Sequence, residues 1–403
     1  MIAIYGANAS GKTSLVLALE ILRTIVLIGN IRPAKENRLL FMMDVCPFIH
    51  DYKKYSLPVK FEITFIIDNA EFVYGFEYQA ALVADAATST RRIVGEYLII
   101  DETEIYRRDA GKVVIAKNAK AVKFYEEKFD KNLLSSLEKQ INKNLDVTDL
   151  FLTNAFKSVV NSVLAQKVIG WFTNNLLSIG DVDEAVFGLE LSENTPKGQY
   201  RVQNAIISAL LAHADFGPQD VSFVIEKDEN AKQEAALKSE YHVVGSPGER
   251  LVVPAEWIES KGTLKVLKLA IPFISALEKG YCLVVDELDS SLHPDLMAGI
   301  IRVFNNPEIN TKGAQLIFTT HNPVLLNKNL FRKDQIVFVS KDKETFESEV
   351  YSLADFKTYG ENAVRGDEVY LKNYINGKYG ALPSVDFESA VLEALSKSRA
   401  QEV

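Results

Sequence analysis

The sequence predicts an α/β fold in which a mostly parallel sheet is joined to an antiparallel β-subdomain and a helical insertion. Three observations indicate this fold. The pattern of residues 1–23 predicts a strand, a glycine turn and a helix, and that of residues 59–116 predicts β-hairpins. After Gly262 the pattern predicts helices that alternate with strands. Alternation of this kind is typical of a parallel sheet covered by helices. We therefore expect the two ends of the chain to form one core, with the middle inserted between them.

The composition sets limits on this fold. The 403 residues are 47% hydrophobic and 25% charged, as in an ordinary globular protein. Only Cys46 and Cys282 are present, so a reducing compartment is the simpler interpretation. We find no secretory signal and no apolar run near the ~20 residues of a bilayer span, and we expect a cytoplasmic protein. The net charge of −9 argues against a protein that coats nucleic acid, while a local basic groove remains possible.

The chain opens with a phosphate-binding pattern. An apolar strand at residues 2–5 runs into Gly6–Thr13, which fits G-x-x-x-x-G-K-[ST], and leucines at helical spacing follow. Glycines let successive backbone N–H groups converge on phosphate oxygens, and the helix N-terminus adds positive partial charge. The Lys12 amine can reach the β- and γ-phosphates, and the Thr13 hydroxyl can bind Mg²⁺. The residues expected to contact nucleotide are Gly6, Ala7, Asn8, Ala9, Ser10, Gly11, Lys12, Thr13 and Ser14.

The middle of the chain changes character twice. Residues 59–116 alternate apolar and polar side chains and turn at Asp68-Asn69, which predicts an antiparallel sheet of hairpins. Residues 122–177 carry apolar positions that step mostly by four, which predicts helices. The polar segment Glu226–Ser239 is interpreted as a mobile loop or an exposed helix. The predicted parts are a core (1–58 and 250–385), a β-subdomain (59–116), a mainly helical insertion (117–249) and a C-terminal tail (386–403).

Two adjacent acids follow the apolar strand Tyr281–Val285. At the carboxyl end of a parallel strand, Asp286 can hold Mg²⁺ while Glu287 polarises the attacking water as a general base. The alternative is a buried strand whose acids only begin the next turn. The phosphate-binding pattern upstream favours the catalytic interpretation.

Two further groups fit the same site. His321 follows a strand that lies one helix beyond Glu287, and from that sheet edge its imidazole can donate a hydrogen bond to the γ-phosphate. Ser260 and Gly262 precede the helix that leads to the acidic strand. Alone, Ser260 would be only a helix N-cap. Because the phosphate loop already occupies one side of the nucleotide, we expect Ser260 and Gly262 to close a nucleotide held by another subunit.

Together these motifs resemble the ABC-class ATPase heads of recombination-repair and chromosome-maintenance proteins and of the OLD family. Ser260–Thr263 resembles their short signature, Asp289–Pro294 their D-loop, and Thr319–Pro323 their switch-histidine loop. Four downstream segments are similar to bacterial AAA-type ATPases of the abortive-infection (AbiLi-like) group: Ala314–Phe318, Arg332–Phe338, Tyr351–Phe356 and Lys378–Pro383. The likeness is clearest over residues 1–23 and 250–385.

The resemblance implies a P-loop NTPase of the ABC type that uses ATP and Mg²⁺. It implies that Lys12, Glu287 and His321 act in catalysis. It further implies that Thr13 and Asp286 hold the metal. Two copies would meet face to face around the nucleotide, as a homodimer or a higher homo-oligomer. A partner effector, either a nuclease or a toxin, would be regulated in anti-phage defence.

Other interpretations stay open. A regulatory scaffold would bind ATP with negligible hydrolysis, and a repair-type ATPase would act on nucleic acid. Heads of this class carry an adenine-stacking aromatic residue before the loop, but only five residues precede Gly6, so the chain is truncated there or adenine is held differently. Such heads also carry a glutamine that senses Mg²⁺ between their lobes, and Gln79, at the end of the predicted strand Val73–Tyr78, is a candidate for it. No role and no zinc site are predicted for the histidines His50, His213 and His242.

Overall fold

The computed structural model describes residues 1–32, 48, 50–55, 57–80, 91–125, 131–180, 198–203, 220–227, 233–246, 248–356, 369–383 and 386–401. Its strands are β1 (Ile2–Gly6), β2 (Val59–Ile67), β3 (Ala70–Gln79), β4 (Arg92–Ile100), β5 (Thr103–Asp109), β6 (Lys112–Ile115), β7 (Leu176–Ile179), β8 (Gly198–Gln203), β9 (Asp220–Lys227), β10 (Gln233–His242), β11 (Arg250–Pro254), β12 (Cys282–Val285), β13 (Gln315–Thr320), β14 (Ile336–Lys341) and β15 (Ser348–Ser352).

The helices complete the description. They are α1 (Lys12–Ile28), α2 (Tyr52–Tyr55), α3 (Ala119–Val122), α4 (Lys131–Asn144), a π-helix (Leu152–Val160), α5 (Ser162–Asn174), α6 (Ala255–Ile258), α7 (Lys261–Lys279), α8 (Pro294–Asn305), α9 (Tyr370–Ile375) and α10 (Phe387–Gln401). Single 3₁₀ turns lie at Pro323–Leu325, Lys333–Gln335 and Leu353–Asp355. Among the helices described, none combines the length and the apolar character that crossing a bilayer requires.

The core of the described chain is a six-stranded sheet in the order β15-β14-β1-β13-β12-β7. Five of these strands run parallel, and β15 pairs antiparallel with β14 at one edge. The central strand β1 pairs on both sides, so that Ala3 lies opposite Phe318 and Ile336. All four residues of Cys282–Val285 are buried, as a strand covered on both faces requires. The predicted mostly parallel α/β fold is confirmed.

Helices cover both faces of this sheet. Along β12, Val284 packs in a core cluster with α1, α5 and the π-helix. Its neighbours Leu283 and Val285 point to the opposite face and pack in a second cluster with α7 and α8. The two ends of the chain therefore form one sandwich, and α1 and α7 approach the same sheet from opposite sides.

A five-stranded antiparallel sheet, in the order β2-β3-β4-β5-β6, follows the core in the sequence. Its hairpins turn at residue pairs with positive φ, which match the right-handed twist of the strands. The pairs are Asp68 and Asn69, Asp101 and Glu102, and Ala110 and Gly111. The predicted antiparallel β-subdomain is confirmed, with strands that end at Ile115.

A second antiparallel sheet, in the order β11-β10-β9-β8, lies where the sequence predicted a mainly helical insertion. The interpretation of Glu226–Ser239 as a loop or exposed helix is wrong for its described part, because β10 begins at Gln233 and pairs with β9. The segment is rich in helix-forming residues, but strand pairing and the burial of Leu237 and Ser239 outweigh that preference.

The end of the predicted helical run also differs from expectation. Helix α5 ends at Asn174, and Leu176–Ile179 forms β7, which pairs parallel with β12 at the edge of the core sheet. A four-residue segment with three apolar side chains at the end of a helix is too short to show a periodicity of its own, so the sequence could not separate it from the helix. The middle of the chain thus contributes a strand to the core.

Candidate functional site

The loop Gly6–Thr13 joins the end of β1 to the start of α1. Gly11 precedes the helix with a φ of 108°, and Ala9 has a φ of 60°, so both lie in the left-handed region. A Cβ on Gly6 would lie 2.4 Å from the main-chain oxygen of Val339, so only glycine allows β14 to come this close. The loop therefore exposes the N-terminus of α1, whose first N–H groups have no partner within the helix.

The Lys12 side chain folds back over this loop. Its Nζ donates hydrogen bonds to the main-chain oxygens of Gly6 and Ala7, both at 2.9 Å. Burial lowers the pKa of the Lys12 amine, while the carboxylates of Asp286 and Glu287 act in the opposite direction. An amine held by two neutral carbonyls can exchange them for phosphate oxygens, because hydrogen bonds between charged partners are stronger.

Asp286 and Glu287 follow β12 at the carboxyl edge of the sheet. Asp286 is buried, and its Oδ1 accepts a hydrogen bond from Thr319 Oγ1. The same hydroxyl accepts a hydrogen bond from the Glu287 N–H at 2.7 Å. Glu287 has a φ of 45°, and its side chain is 57% exposed. The first acid is thus fixed inside the protein, while the second reaches into the open cavity.

Helix α7, on the face of the sheet opposite to α1, supports the turn that begins with Asp286 and Glu287, which we call the acidic turn. Lys265 Nζ donates to the main-chain oxygen of Glu287 at 2.6 Å and to Ser290 Oγ at 2.8 Å. Both bonds come from a residue that is only 7% exposed. The conformation of the acidic turn therefore depends on α7.

The start of α7 carries Ser260 and Gly262. Ser260 Oγ accepts a hydrogen bond from the Thr263 N–H at 3.1 Å, which is an ordinary N-cap. A Cβ on Gly262 would lie 2.4 Å from the main-chain oxygen of Ser291. Glycine at this position lets the helix start lie directly against the loop that follows the acids.

His321 lies beyond the end of β13, next to the strand that carries the acids. Its Nε2 is 4.0 Å from Glu287 Oε1. Its main-chain N–H donates to Asp289 Oδ2 at 3.2 Å, which ties the histidine loop to the loop after the acids. The imidazole and the exposed carboxylate therefore face the same space.

That space is a cavity of about 560 Å³ at the carboxyl ends of β1, β13 and β12. Its lining is Asn8, Ala9, Ser10, Gly11, Lys12, Thr13, Ser14, Phe48, His50, Glu287, His321, Lys341, Phe346 and Ser348. Most of the predicted site residues therefore come together. Asp286 lies behind the lining, beside Thr319, and neither Ser260 nor Gly262 lines this cavity.

Three groups of residues near the cavity were missed by the sequence analysis. Thr319 and Lys265 hold the acids in place. The sequence signal that could have identified them is a polar residue among apolar residues that are expected to be buried. Ser348 Oγ donates to the main-chain oxygen of Ser10 at 2.7 Å. The aromatic lining residues had no recognisable signal, because they come from segments far apart in the sequence.

A comparison with protein families shows to which family the chain belongs. A family model described as "AAA domain, putative AbiEii toxin, Type IV TA system" matches residues 1–327 of the chain. The chain belongs to this AAA domain family. A comparison with the curated proteins finds no match. AAA domains of this kind are P-loop nucleotide-binding ATPases that use ATP with Mg²⁺, and the match includes the phosphate loop, both acids and His321.

The donor set of this AAA domain fits Mg²⁺. The Thr13 hydroxyl and the Asp286 carboxylate could supply hard oxygen ligands, and a nucleotide-bound Mg²⁺ needs only one or two from the protein. No group of three or more His, Cys, Asp or Glu side chains forms a metal cage in the part of the chain described. Ser10 Oγ is buried and has no hydrogen-bond partner among the residues described. A polar atom of this kind beside the loop is available to a ligand.

Proposed function

We propose that this AAA domain binds ATP with Mg²⁺, hydrolyses it, and dimerises around it in the manner of ABC-class heads. The observation that carries the proposal is the edge shared by β1, β13 and β12. The phosphate loop, His321 and the two acids follow these neighbouring strands; the loop, His321 and Glu287 line one cavity, and Asp286 lies directly behind its lining. Carboxyl ends of parallel strands are where open α/β sheets bind their ligands.

In this proposal the triphosphate lies on the loop Gly6–Thr13. The Lys12 amine leaves the two carbonyl oxygens that it now contacts and bonds to the β- and γ-phosphates. The free N–H groups at the start of α1 bond to the remaining phosphate oxygens. The positive φ of Ala9 and Gly11 supports this role, because it turns successive N–H groups toward one point.

Thr13 and Asp286 would hold Mg²⁺ at the same end of the nucleotide. The ion supplies charge neutralisation on the β- and γ-phosphate oxygens. Thr319 fixes the Asp286 carboxylate through its hydroxyl and would thereby orient this proposed metal ligand.

Hydrolysis would use Glu287 as the general base. The carboxylate takes a proton from the attacking water as the water oxygen bonds to the γ-phosphorus. The bond from the γ-phosphorus to the bridging oxygen breaks, and its electron pair leaves with ADP. His321, within 4.0 Å of the Glu287 carboxylate, donates a hydrogen bond to the γ-phosphate and thereby orients it.

The proposed dimer explains the location of Ser260 and Gly262. They form the N-terminus of a 19-residue helix yet do not line the chain's own cavity. In a face-to-face dimer they would contact the γ-phosphate in the partner's cavity, so that nucleotide occupancy controls assembly. Glu287, which is 57% exposed in one chain, would become covered.

We further propose that the ATP-dependent assembly regulates a partner effector protein in anti-phage defence. The support is the description of the matching family, which names a toxin of a toxin–antitoxin system. A nuclease or toxin held by the dimer would be released or activated when ATP is hydrolysed.

The test is Glu287→Gln, which keeps the shape of the side chain and removes the base. We expect ATP binding to persist, turnover to fall by about 100-fold or more, and an ATP-dependent dimer to accumulate. Turnover is measured as phosphate release, and assembly is measured as molecular mass in solution with and without ATP. The matched control is Glu308→Gln on the exposed loop after α8, which should leave both unchanged.

Two outcomes would change the proposal. Full hydrolysis in Glu287→Gln would remove Glu287 from its role. Tight ATP binding with negligible hydrolysis in the unaltered chain would favour the non-hydrolysing scaffold, in which ATP only holds the assembly together.

A further inference from the structure

Three aromatic rings lie beside the phosphate loop, in the same cavity. The rings of His50 and Phe346 stack with centroids 4.8 Å apart, and Phe48 meets His50 edge-on at 5.5 Å. All three line the cavity together with the loop residues. We call Phe48, His50 and Phe346 the aromatic cluster. The phosphate contacts and the acids proposed above give it no role.

The turn between β14 and β15 holds Phe346 in an unusual conformation. Phe346 has a φ of 60°, where a bulky side chain is rarely found. Asp342 Oδ1 accepts hydrogen bonds from the Glu344 N–H at 2.9 Å and the Thr345 N–H at 2.7 Å, and its main-chain oxygen accepts from the Phe346 N–H at 3.1 Å. Backbone strain that the surroundings maintain in this way is concentrated at functional sites.

The same turn is fastened to the phosphate loop. Ser348, two residues after Phe346, donates its hydroxyl to the main-chain oxygen of Ser10 at 2.7 Å. A Cβ on Gly11 would lie only 2.8 Å from Ser348 Oγ, so the two segments are in close contact. The ring of Phe346 is therefore held at a fixed position relative to the phosphate site.

Cationic side chains border the aromatic cluster. Lys341 Nζ lies 5.6 Å from the ring centroid of Phe346, and Lys54 Nζ lies 5.7 Å from that of Phe48. Lys54 also forms an ion pair with Glu347, which joins α2 to the turn. Flat π-surfaces edged by positive charge match a nucleotide, whose base is flat and whose phosphates are negative.

We propose that the aromatic cluster is the base-binding site of the nucleotide and that it takes a purine by stacking on Phe346. The inference rests on the proposed function, because the loop must hold the phosphates for the base to reach the ring. Phe346 is 46% exposed, so part of its surface is open to a ligand in the cavity.

This site recognises shape more than hydrogen-bonding pattern. Stacking tolerates any base because every base has a π-face, and the larger purine ring system covers more of the aromatic surface. We therefore expect ADP and GDP to bind with similar affinity and UDP to bind more weakly than either.

The experiment measures equilibrium binding of ADP, GDP, UDP and pyrophosphate in Mg²⁺, since none of these needs the hydrolytic step. Phe346→Ala should weaken ADP by about 5- to 100-fold and leave pyrophosphate unchanged, because pyrophosphate has no base. Phe346→Leu, which keeps an apolar side chain without a ring, and His50→Ala should act in the same direction. The matched control is Phe387→Ala on α10, an exposed phenylalanine outside the cavity that should change neither ligand.

The outcomes separate this inference from the function on which it rests. If Lys12→Ala weakens both ADP and pyrophosphate while Phe346→Ala weakens neither, the phosphate site stands and the base site is overturned. If Phe346→Ala weakens both ligands equally, the ring only supports the loop, and the inference also fails. If the unaltered chain binds neither ligand, the proposed function fails and the base site fails with it.

Discussion

Lys265 donates a hydrogen bond from Nζ to the main-chain oxygen of Glu287 at 2.6 Å. Glu287 has a φ of 45°, which a residue other than glycine rarely adopts, and this bond helps to hold it there. Lys265 lies on the same helix as Ser260 and Gly262. A single rigid element therefore connects the proposed base of one site to the group that would close the site of the partner.

The first prediction concerns this connection. Lys265→Met should lower kcat for ATP hydrolysis by about 10- to 100-fold with little change in KM, because the general base loses its position while the phosphate loop is intact. Lys265→Arg should restore much of the rate, since a guanidinium can still donate to both oxygens. Lys279→Met, at the exposed end of the same helix, is the control. A rise in KM alone, with kcat unchanged, would contradict the positioning role.

The second prediction concerns the hydrogen bond from the Thr319 hydroxyl to the Asp286 carboxylate. Thr319→Val keeps the size of the side chain and removes the hydroxyl that bonds both to the Asp286 carboxylate and to the Glu287 N–H. The Mg²⁺ concentration that gives half-maximal turnover should rise about tenfold, as is usual when the partner of a metal ligand is lost. Thr319→Ser retains the hydroxyl and should behave like the unaltered chain. Identical Mg²⁺ dependence in both variants would show that Asp286 needs no such partner.

The third prediction concerns the buried carboxylate of Glu96, between the antiparallel sheet and the π-helix. Its oxygens accept hydrogen bonds from the N–H groups of Phe151 at 2.6 Å and Leu152 at 2.9 Å, and from the hydroxyls of Tyr74 and Tyr106. Glu96→Gln turns an amide group toward these donors. It should lower the free energy of unfolding by about 1–3 kcal/mol, measured by chemical denaturation.

The pH dependence of this variant has a definite sign. Burial raises the pKa of Glu96 above its ordinary 4.5, although the hydrogen bonds from Leu152 and Phe151 oppose the shift. The folded state then keeps the proton to higher pH than the unfolded chain, so this group's contribution to stability is lost as the pH rises above 4.5. The stability difference between the unaltered chain and Glu96→Gln should therefore shrink as the pH rises.

Much of the core was predictable because its signals are local. The glycine loop before α1 and the acids after β12 are continuous motifs, and each follows an apolar strand whose partners run parallel to it. The edge at which they meet follows from topology, since parallel strands present their carboxyl ends together. His321 was predictable for the same reason, as the residue beyond the next strand.

The remaining parts depend on contacts between distant segments. β7 is four residues long, and its identity as a strand comes from pairing with β12 more than a hundred residues later. β10 has the composition of a helix and becomes a strand because β9 and β11 pair with it. The stacking of His50 on Phe346 joins residues almost 300 positions apart, and no local pattern in a single sequence reports such a contact.

The last prediction tests the start of α7. Gly262→Ala puts a methyl group 2.4 Å from the main-chain oxygen of Ser291, so the helix start must move away from the loop after the acids. In the Glu287→Gln background this should weaken the ATP-dependent dimer by about 5- to 100-fold, because the displaced helix no longer meets the partner's nucleotide. The measurement is molecular mass in solution as a function of protein concentration.

Binding of ADP to the single chain shows whether Gly262→Ala disturbs only the dimer contact or also the chain's own nucleotide site. Neither Ser260 nor Gly262 lines the chain's own cavity, so Gly262→Ala should leave ADP affinity unchanged. The matched control is Gly299→Ala in α8, where an added Cβ meets nothing within 4 Å and should leave the dimer intact. If Gly262→Ala reduces ADP binding to the single chain and leaves the dimer unaffected, the start of α7 serves its own site, and the face-to-face arrangement is wrong.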